Sequence, residues 1–234
     1  MTTKKTCTIV FDLDGTISDP LVGISRSFNY ALTHFGHAPL AETALLPHIG
    51  PPLDDAFRAL TGVSSVSEIA AYVAKYRERY SDIGYRENVL YPGVAESLQL
   101  LHAAGIPLGV CTSKRSDFAQ RILELFDIRS LFRFVDGGDI GIPKWQQIEA
   151  LVARGVIGCG SVMVGDRGVD LQAAHRSGLS SGGVLWGYGS RQELEKEHPR
   201  FLFSAPSELR ILAETGSKEV ANHGVHGRLA SSPP

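Results

Sequence analysis

The chain is predicted to be an α/β protein, a doubly wound parallel sheet with an all-helical domain inserted after its first strand. Three observations predict this. Short β-branched or apolar runs alternate with longer segments of helical period, the pattern of strand–helix–strand crossovers. The interval from about Asp19 to Tyr91 breaks that alternation and reads as consecutive helices without a strand. The length, 234 residues, exceeds one α/β core by about one small domain.

The elements follow in order. A first strand is expected over Thr6 to Phe11, with the inserted helices entered near Pro20. Pro51 and Pro52 after Gly50 suit a helix start running through Phe57 and Leu60. Ser65-x-x-Glu68 has the form of a capping box, opening a helix whose Ile69, Tyr72, Val73, Tyr76 and Tyr80 share one face. Lys75, the only lysine of the insert, falls off that face and is expected as a solvated charge. The insert ends near Pro92-Gly93. Strands are then expected over Ile106 to Cys111, Leu131 to Val135, Ser161 to Val164, Gly183 to Trp186 and Phe201 to Phe203. Helices are expected over Val94 to Ala104, Ser116 to Phe126 and Trp145 to Arg154, with Gly105 and Gly155 closing the first and third. The predicted organisation is therefore a core of residues 1–18 and 92–214, a helical insert over 19–91, and a tail over 215–234. The tail is rich in Gly, Ser, His and Pro and is expected to be disordered, with His223 and His226 solvated rather than metal-binding.

Composition narrows the function classes. Hydrophobic residues make up 43%, charged residues 21% and mean hydropathy is −0.01, the profile of a soluble globular protein. A net charge of −2 gives no positive field for nucleic acid or anionic lipid, so an anionic ligand must be met by a local site. Three scattered cysteines, Cys7, Cys111 and Cys159, make neither a disulfide framework nor a zinc cluster and suit a reducing cytoplasm. The apolar run before Asp12 is too short for a signal-peptide core, and no stretch approaches the roughly 20 apolar residues of a membrane span.

Chemistry concentrates at strand ends. Asp12-Leu13-Asp14-Gly15-Thr16 follows the first strand, and from this composition an Asp-x-Asp-x-Thr match is expected by chance only about 0.03 times. Two carboxylates two residues apart on an extended strand project from one side, where their repulsion calls for a cation or hydrogen-bond donors. In open α/β sheets, ligands bind at this carboxyl edge.

With three further segments in chain order, the sequence resembles the haloacid dehalogenase superfamily. Val110-Cys111-Thr112-Ser113-Lys114 stands where that family's second motif has its Ser or Thr. Lys144, in Gly141-Ile142-Pro143-Lys144, stands where it has a lysine, although Trp145 follows where the family often has proline. Val164-Gly165-Asp166-Arg167-Gly168-Val169-Asp170 matches its acidic Gly-Asp-x-x-x-Asp motif. The resemblance implies a Rossmann-like core with a small helical cap. It implies hydrolysis of a small phosphate monoester (phosphoglycolate, a 5′-nucleotide or a sugar phosphate) through an aspartyl phosphate on Asp12. Asp14 is implied as acid and base; Thr112, Ser113, Lys144 and Thr16 as phosphate ligands; and Mg²⁺ as held by Asp12, Asp166 and the main-chain carbonyl of Asp14. Asp170 is implied as support for Lys144 or a metal water. Asp14 favours phosphate esters over dehalogenation or phosphonate cleavage, for which members of the family lack that second aspartate. Gly50-Pro51-Pro52-Leu53, Tyr91-Pro92-Gly93 and Trp186-Gly187-Tyr188-Gly189 look most like the phosphoglycolate-phosphatase-like subgroup. A β-phosphoglucomutase-like phosphoryl transfer, and a non-catalytic regulatory protein binding a phospho-ligand, stay open at this point. With six basic and eight acidic residues over 19–91, the insert suits a small phosphorylated metabolite rather than nucleic acid. A monomer or homodimer is expected.

Overall fold

The computed structural model describes residues 7–50, 52–138 and 142–214. Six parallel strands form one sheet in the order β5-β4-β1-β6-β7-β8. The strands are β1 (Ile9–Phe11), β4 (Leu108–Arg115), β5 (Phe132–Gly138), β6 (Val162–Gly165), β7 (Ser180–Val184) and β8 (Phe201–Phe203). After β1 the chain builds outward through β4 and β5, then returns to the other side of β1 for β6, β7 and β8. The order reverses at β1, which places the ligand-binding crevice of such a sheet at its carboxyl end.

The core helices are α5 (Val94–Ala103), α6 (Ser116–Leu125), α7 (Lys144–Ala153), α8 (Gly168–Arg176) and α9 (Arg191–Lys196). The two faces of the sheet bury separate apolar clusters. Ile9 and Phe11 pack on one side with Leu98, Leu101 and Ile122, and Val10 packs on the other with Ile148, Leu151 and Ala174. This is the period-two alternation of a strand covered on both faces. Among the described residues, no helix is long and apolar enough to cross a membrane.

The insert contains α1 (Leu21–His34), α2 (Glu42–Leu45), α3 (Leu53–Thr61) and α4 (Val66–Asp82). The stripe read from the sequence is the buried face of α4: Ile69, Tyr72, Val73, Tyr76 and Tyr80. It packs on Phe28 of α1 and Phe57 of α3, with Phe28 centred 5.0 Å from both Phe57 and Tyr76. Ser65 caps α4 by accepting from the Glu68 amide at 3.4 Å. Lys75 is half-buried rather than solvated, its Nζ 2.9 Å from Glu78 and 4.7 Å from the centre of the Tyr30 ring.

The insert is not free of strand. β2 (Ser18–Asp19) and β3 (Val89–Leu90) pair antiparallel where the chain leaves and re-enters the core. Two-residue strands carry no periodicity, and their pairing joins segments some 70 residues apart, so nothing local marks them. Several core boundaries also differ from expectation, and the strand expected over Leu131 to Val135 runs on to Gly138. β4 continues to Arg115, α7 starts at Lys144, and the penultimate strand is Ser180–Val184 rather than Gly183 to Trp186. The expected tail, with His223 and His226, and Pro51 lie outside the described residues.

Candidate active site

β1 consists of three fully buried apolar residues, and its end delivers Asp12 to the crevice with 8% exposure. The Asp12 amide donates to the Val164 carbonyl at 2.9 Å, tying this position to the end of β6. A tight turn follows, in which the Ile17 and Ser18 amides both donate to the Leu13 carbonyl. Gly15 adopts φ +83° there, and a Cβ would fall 2.2 Å from Asp166 Oδ2, so both conformation and space require glycine.

The neighbouring strands supply the rest. Lys144, at the start of α7, reaches Asp12 Oδ2 with Nζ at 2.9 Å and also donates to Asp170 Oδ1. Asp170 Oδ2 accepts from the Arg167 amide at 3.0 Å, so its carboxylate bridges the lysine to the start of α8. Fully buried Asp166 accepts from Thr16 Oγ1 at 3.3 Å and from the Tyr188 amide at 2.9 Å. Thr112 lies buried at the end of β4, its carbonyl accepting from Gln147 Nε2 at 3.2 Å, whereas the adjacent Ser113 is exposed. Asp14 pairs through Oδ2 with Lys114 Nζ at 2.8 Å.

The structure therefore brings Asp12, Asp14, Thr112, Lys144, Asp166 and Asp170 to one crevice. Thr16 joins them with its hydroxyl committed to Asp166, and Ser113 sits on the exposed side of the same strand end. The sequence reading assigned no part to Lys114, Tyr76, Tyr80, Gln147 or Tyr188. Lys114 stood inside a quoted segment, and Tyr76 and Tyr80 were legible only as core-facing residues of α4. Their approach to Asp14 depends on how the insert seats on the core.

The electrostatics reflect this crowding. Burial, with the charges of Asp170 and Asp12 adding to it, pushes the Asp166 carboxyl up to about 7. Asp170 is pushed up to about 6 by burial, with Lys144 opposing. Burial also raises Asp14, against the pull of Lys114. Burial disfavours the Lys144 ammonium, yet Asp12 and Asp170 hold its pKa above the usual lysine range. The Cys111 thiol behind Lys144 is pushed up to about 12 by burial and stays protonated.

This donor set suits a hard divalent cation. Oxygens of Asp12, Asp166 and Asp170 lie within 4.8 Å of one another, and Asp12 Oδ1 is buried with no hydrogen-bond partner among the described residues. Carboxylate oxygens without softer ligands match Mg²⁺, which keeps several waters and takes few protein groups. Both oxygens of Asp170 are engaged by Lys144 and the Arg167 amide, and both of Asp166 by Thr16 and the Tyr188 amide, so Asp12, whose Oδ1 has no partner among the described residues, is the best placed side-chain ligand.

Comparison with known proteins gives the same picture. The family model described as haloacid dehalogenase-like hydrolase matches residues 9–184. The tyrosine-protein kinase PtkA of Mycobacterium tuberculosis is 37% identical over 193 residues, covering 80% of this chain, which spans only 65% of that relative's length. A 5′-nucleotidase of Pseudomonas aeruginosa is 35% identical over 212 residues, covering 88% of this chain and 95% of its own. A solved haloacid dehalogenase-like family hydrolase from Streptococcus pneumoniae superposes with a TM-score of 0.80 at 26% identity, covering 91% of this chain and all of that one. A family match across most of the sheet, on a chain that carries its strand-end carboxylates and lysine in one crevice, establishes that this protein belongs to the haloacid dehalogenase-like hydrolase family.

Proposed function

We propose that the protein is a Mg²⁺-dependent phosphatase acting on a small phosphate monoester such as phosphoglycolate, a 5′-nucleotide or a sugar phosphate. The observation that carries this reading is the ion pair of Lys144 with Asp12, 2.9 Å apart, beside Asp14 and Asp166 at the carboxyl end of the sheet. A phosphate dianion approaches such carboxylates only where positive charge offsets theirs. Mg²⁺ held by Asp12, Asp166 and the Asp14 carbonyl would supply part of that charge.

In this reading Asp12 attacks phosphorus, an Asp12–phosphorus bond forms, and the bond to the leaving oxygen breaks as Asp14 gives that oxygen its proton. Asp14 then takes a proton from water, which attacks the aspartyl phosphate and releases inorganic phosphate with Asp12 regenerated. Lys144 and Thr112 hold the phosphoryl oxygens and stabilise the charge that develops on them. Asp170 keeps Lys144 aimed at Asp12. Residues 19–91 act as a cap that excludes water and selects the substrate. The 5′-nucleotidase relative supports a phosphate ester as substrate.

Phosphate release from a panel of phosphoglycolate, nucleoside monophosphates, sugar phosphates and p-nitrophenyl phosphate tests the reading. Turnover should require Mg²⁺, stop on chelation and fall to background in Asp12→Asn. Activity persisting in that variant refutes the nucleophile, and conversion of a hexose 1-phosphate to its 6-phosphate with little phosphate release indicates a mutase instead.

A further inference from the structure

One buried cation, Lys114, takes no part in the chemistry above. Its side chain is 8% exposed, and it lies two residues beyond Thr112 on the same strand. The β4–β5 pairing shifts register between Thr112 and Arg115, an irregularity of the kind that re-aims side chains beside active sites. Its own amide donates to Thr112 Oγ1 at 3.2 Å, which ties it to the phosphate-binding end of the sheet. From there Nζ makes two contacts that join the two halves of the molecule. One is the ion pair to Asp14 Oδ2 at 2.8 Å, in the core. The other is a hydrogen bond to the Tyr80 hydroxyl at 2.7 Å, in the insert, with the Tyr80 ring centre 5.1 Å away and Tyr76 stacked behind it.

On the phosphatase reading, we propose that Lys114 is a positioning residue for the general acid, and that Tyr80 holds it in place when the cap is seated. Lys114 occupies Oδ2 and so fixes the rotation of the Asp14 carboxyl. Oδ1 is left buried, with no hydrogen-bond partner among the described residues, as the oxygen available to the leaving group. A cation on a long flexible stem holds one geometry only where its surroundings restrain it, and here a carboxylate and a phenol hydroxyl do so together. Because the hydroxyl comes from α4, the restraint is complete only with the cap in contact with the core.

A merely structural stitch between cap and core would slow all substrates alike. A residue that aims the acid acts where the leaving oxygen needs a proton, which is the case for an alkyl phosphate and hardly so for p-nitrophenyl phosphate. The experiment measures kcat and KM with Mg²⁺ on both esters for the full chain, Lys114→Met, Lys114→Arg and Tyr80→Phe. Positioned acids contribute about 10²–10⁴-fold, so Lys114→Met should lose about 10²-fold in kcat/KM, which reads only as far as the breaking of the ester bond, on the alkyl ester and under about 5-fold on the aryl ester. Lys114→Arg should restore most of the alkyl activity, and Tyr80→Phe should lose on the alkyl side alone and by less. Equal losses of kcat/KM on both esters, or no loss of it, overturn the positioning role. If Lys114→Met does not fold, Tyr80→Phe and Lys114→Arg carry the same comparison. A wild-type protein inactive on both esters overturns the phosphatase reading itself, which is distinct from an active protein whose variants lose activity uniformly.

Discussion

The core meets the crevice with charge and the cap meets it with rings. At the ends of β1, β4 and β6 and the starts of α7 and α8 stand Asp12, Thr112, Asp166, Lys144 and Asp170, all buried and bonded to one another or to backbone. The insert brings Tyr76 and Tyr80 toward the same place and keeps its own ion pairs elsewhere, among them Arg26 and Arg79 sharing Glu87 just before the β2–β3 ribbon. The difference follows from what each element can hold still. A strand buried on both faces fixes a charge to within fractions of an ångström, and buried charges need that, because a small displacement leaves them unpaired in a low dielectric. The helical insert shares a buried apolar cluster with one face of the sheet and adds ring surface and a hydroxyl beside Lys114.

The sharpest way to break the comparison is to remove charge from the core. Lys144→Ala should reduce turnover by about 10²–10³-fold, as for loss of a preorganised electrostatic group, and lower unfolding free energy without metal by about 3–5 kcal/mol, because Asp12 and Asp170 stay buried unpaired. Steady-state kinetics and urea melts check the two effects. In the cap, Phe28→Ala removes a fully buried ring between Phe57 and Tyr76 and should cost a similar 3–5 kcal/mol, about the usual cost of such a cavity. Its kinetic signature should differ, with KM rising more than kcat falls.

The smallest effect belongs to the ion pairs of Glu87. Arg79, with Arg26 helping, holds the Glu87 carboxyl below the usual carboxylate range. A folded pKa below the unfolded value gives stability that is present above the unfolded value of about 4.5 and is lost as pH falls through the folded one. Glu87→Gln should therefore flatten the acid limb of the stability curve and cost about 1 kcal/mol or less at neutral pH. Thermal melts between pH 3 and 7 check it, and an unchanged acid limb would remove Glu87 from the account.

What was legible in the sequence follows the same division. β1, β4, β6 and β8 show as apolar runs, and the α4 stripe shows as a period of 3.6, because burial of one face imposes a repeat on neighbouring residues. Asp12 and Asp14 were legible for a related reason: they follow the first strand by a short spacing, and strand ends are where such a sheet presents side chains, whereas Asp166 and Asp170 were legible through their resemblance to a family motif. The β2–β3 ribbon was not legible, since two residues hold no period and their partners are remote. The hydroxyl of Thr16 was expected toward phosphate and is found on Asp166, a choice made by a strand 150 residues further along.

Local order thus determined the doubly wound sheet, the position and helical character of the insert, and the Asp12–Asp14 pair, while resemblance to a known family supplied Thr112, Lys144, Asp166 and Asp170. Tertiary structure alone decided which of these pair. Lys144 could have served any of four carboxylates, and from the start of α7 it takes Asp12 and Asp170. Lys114 faces Asp14 because a register shift in β4 turns it, and Tyr80 reaches Lys114 because the cap seats α4 over that strand end. Spacing along a chain sets which faces are apolar, whereas a contact between two charges depends on how two buried surfaces dock, and docking is a property of the assembled surfaces rather than of either segment.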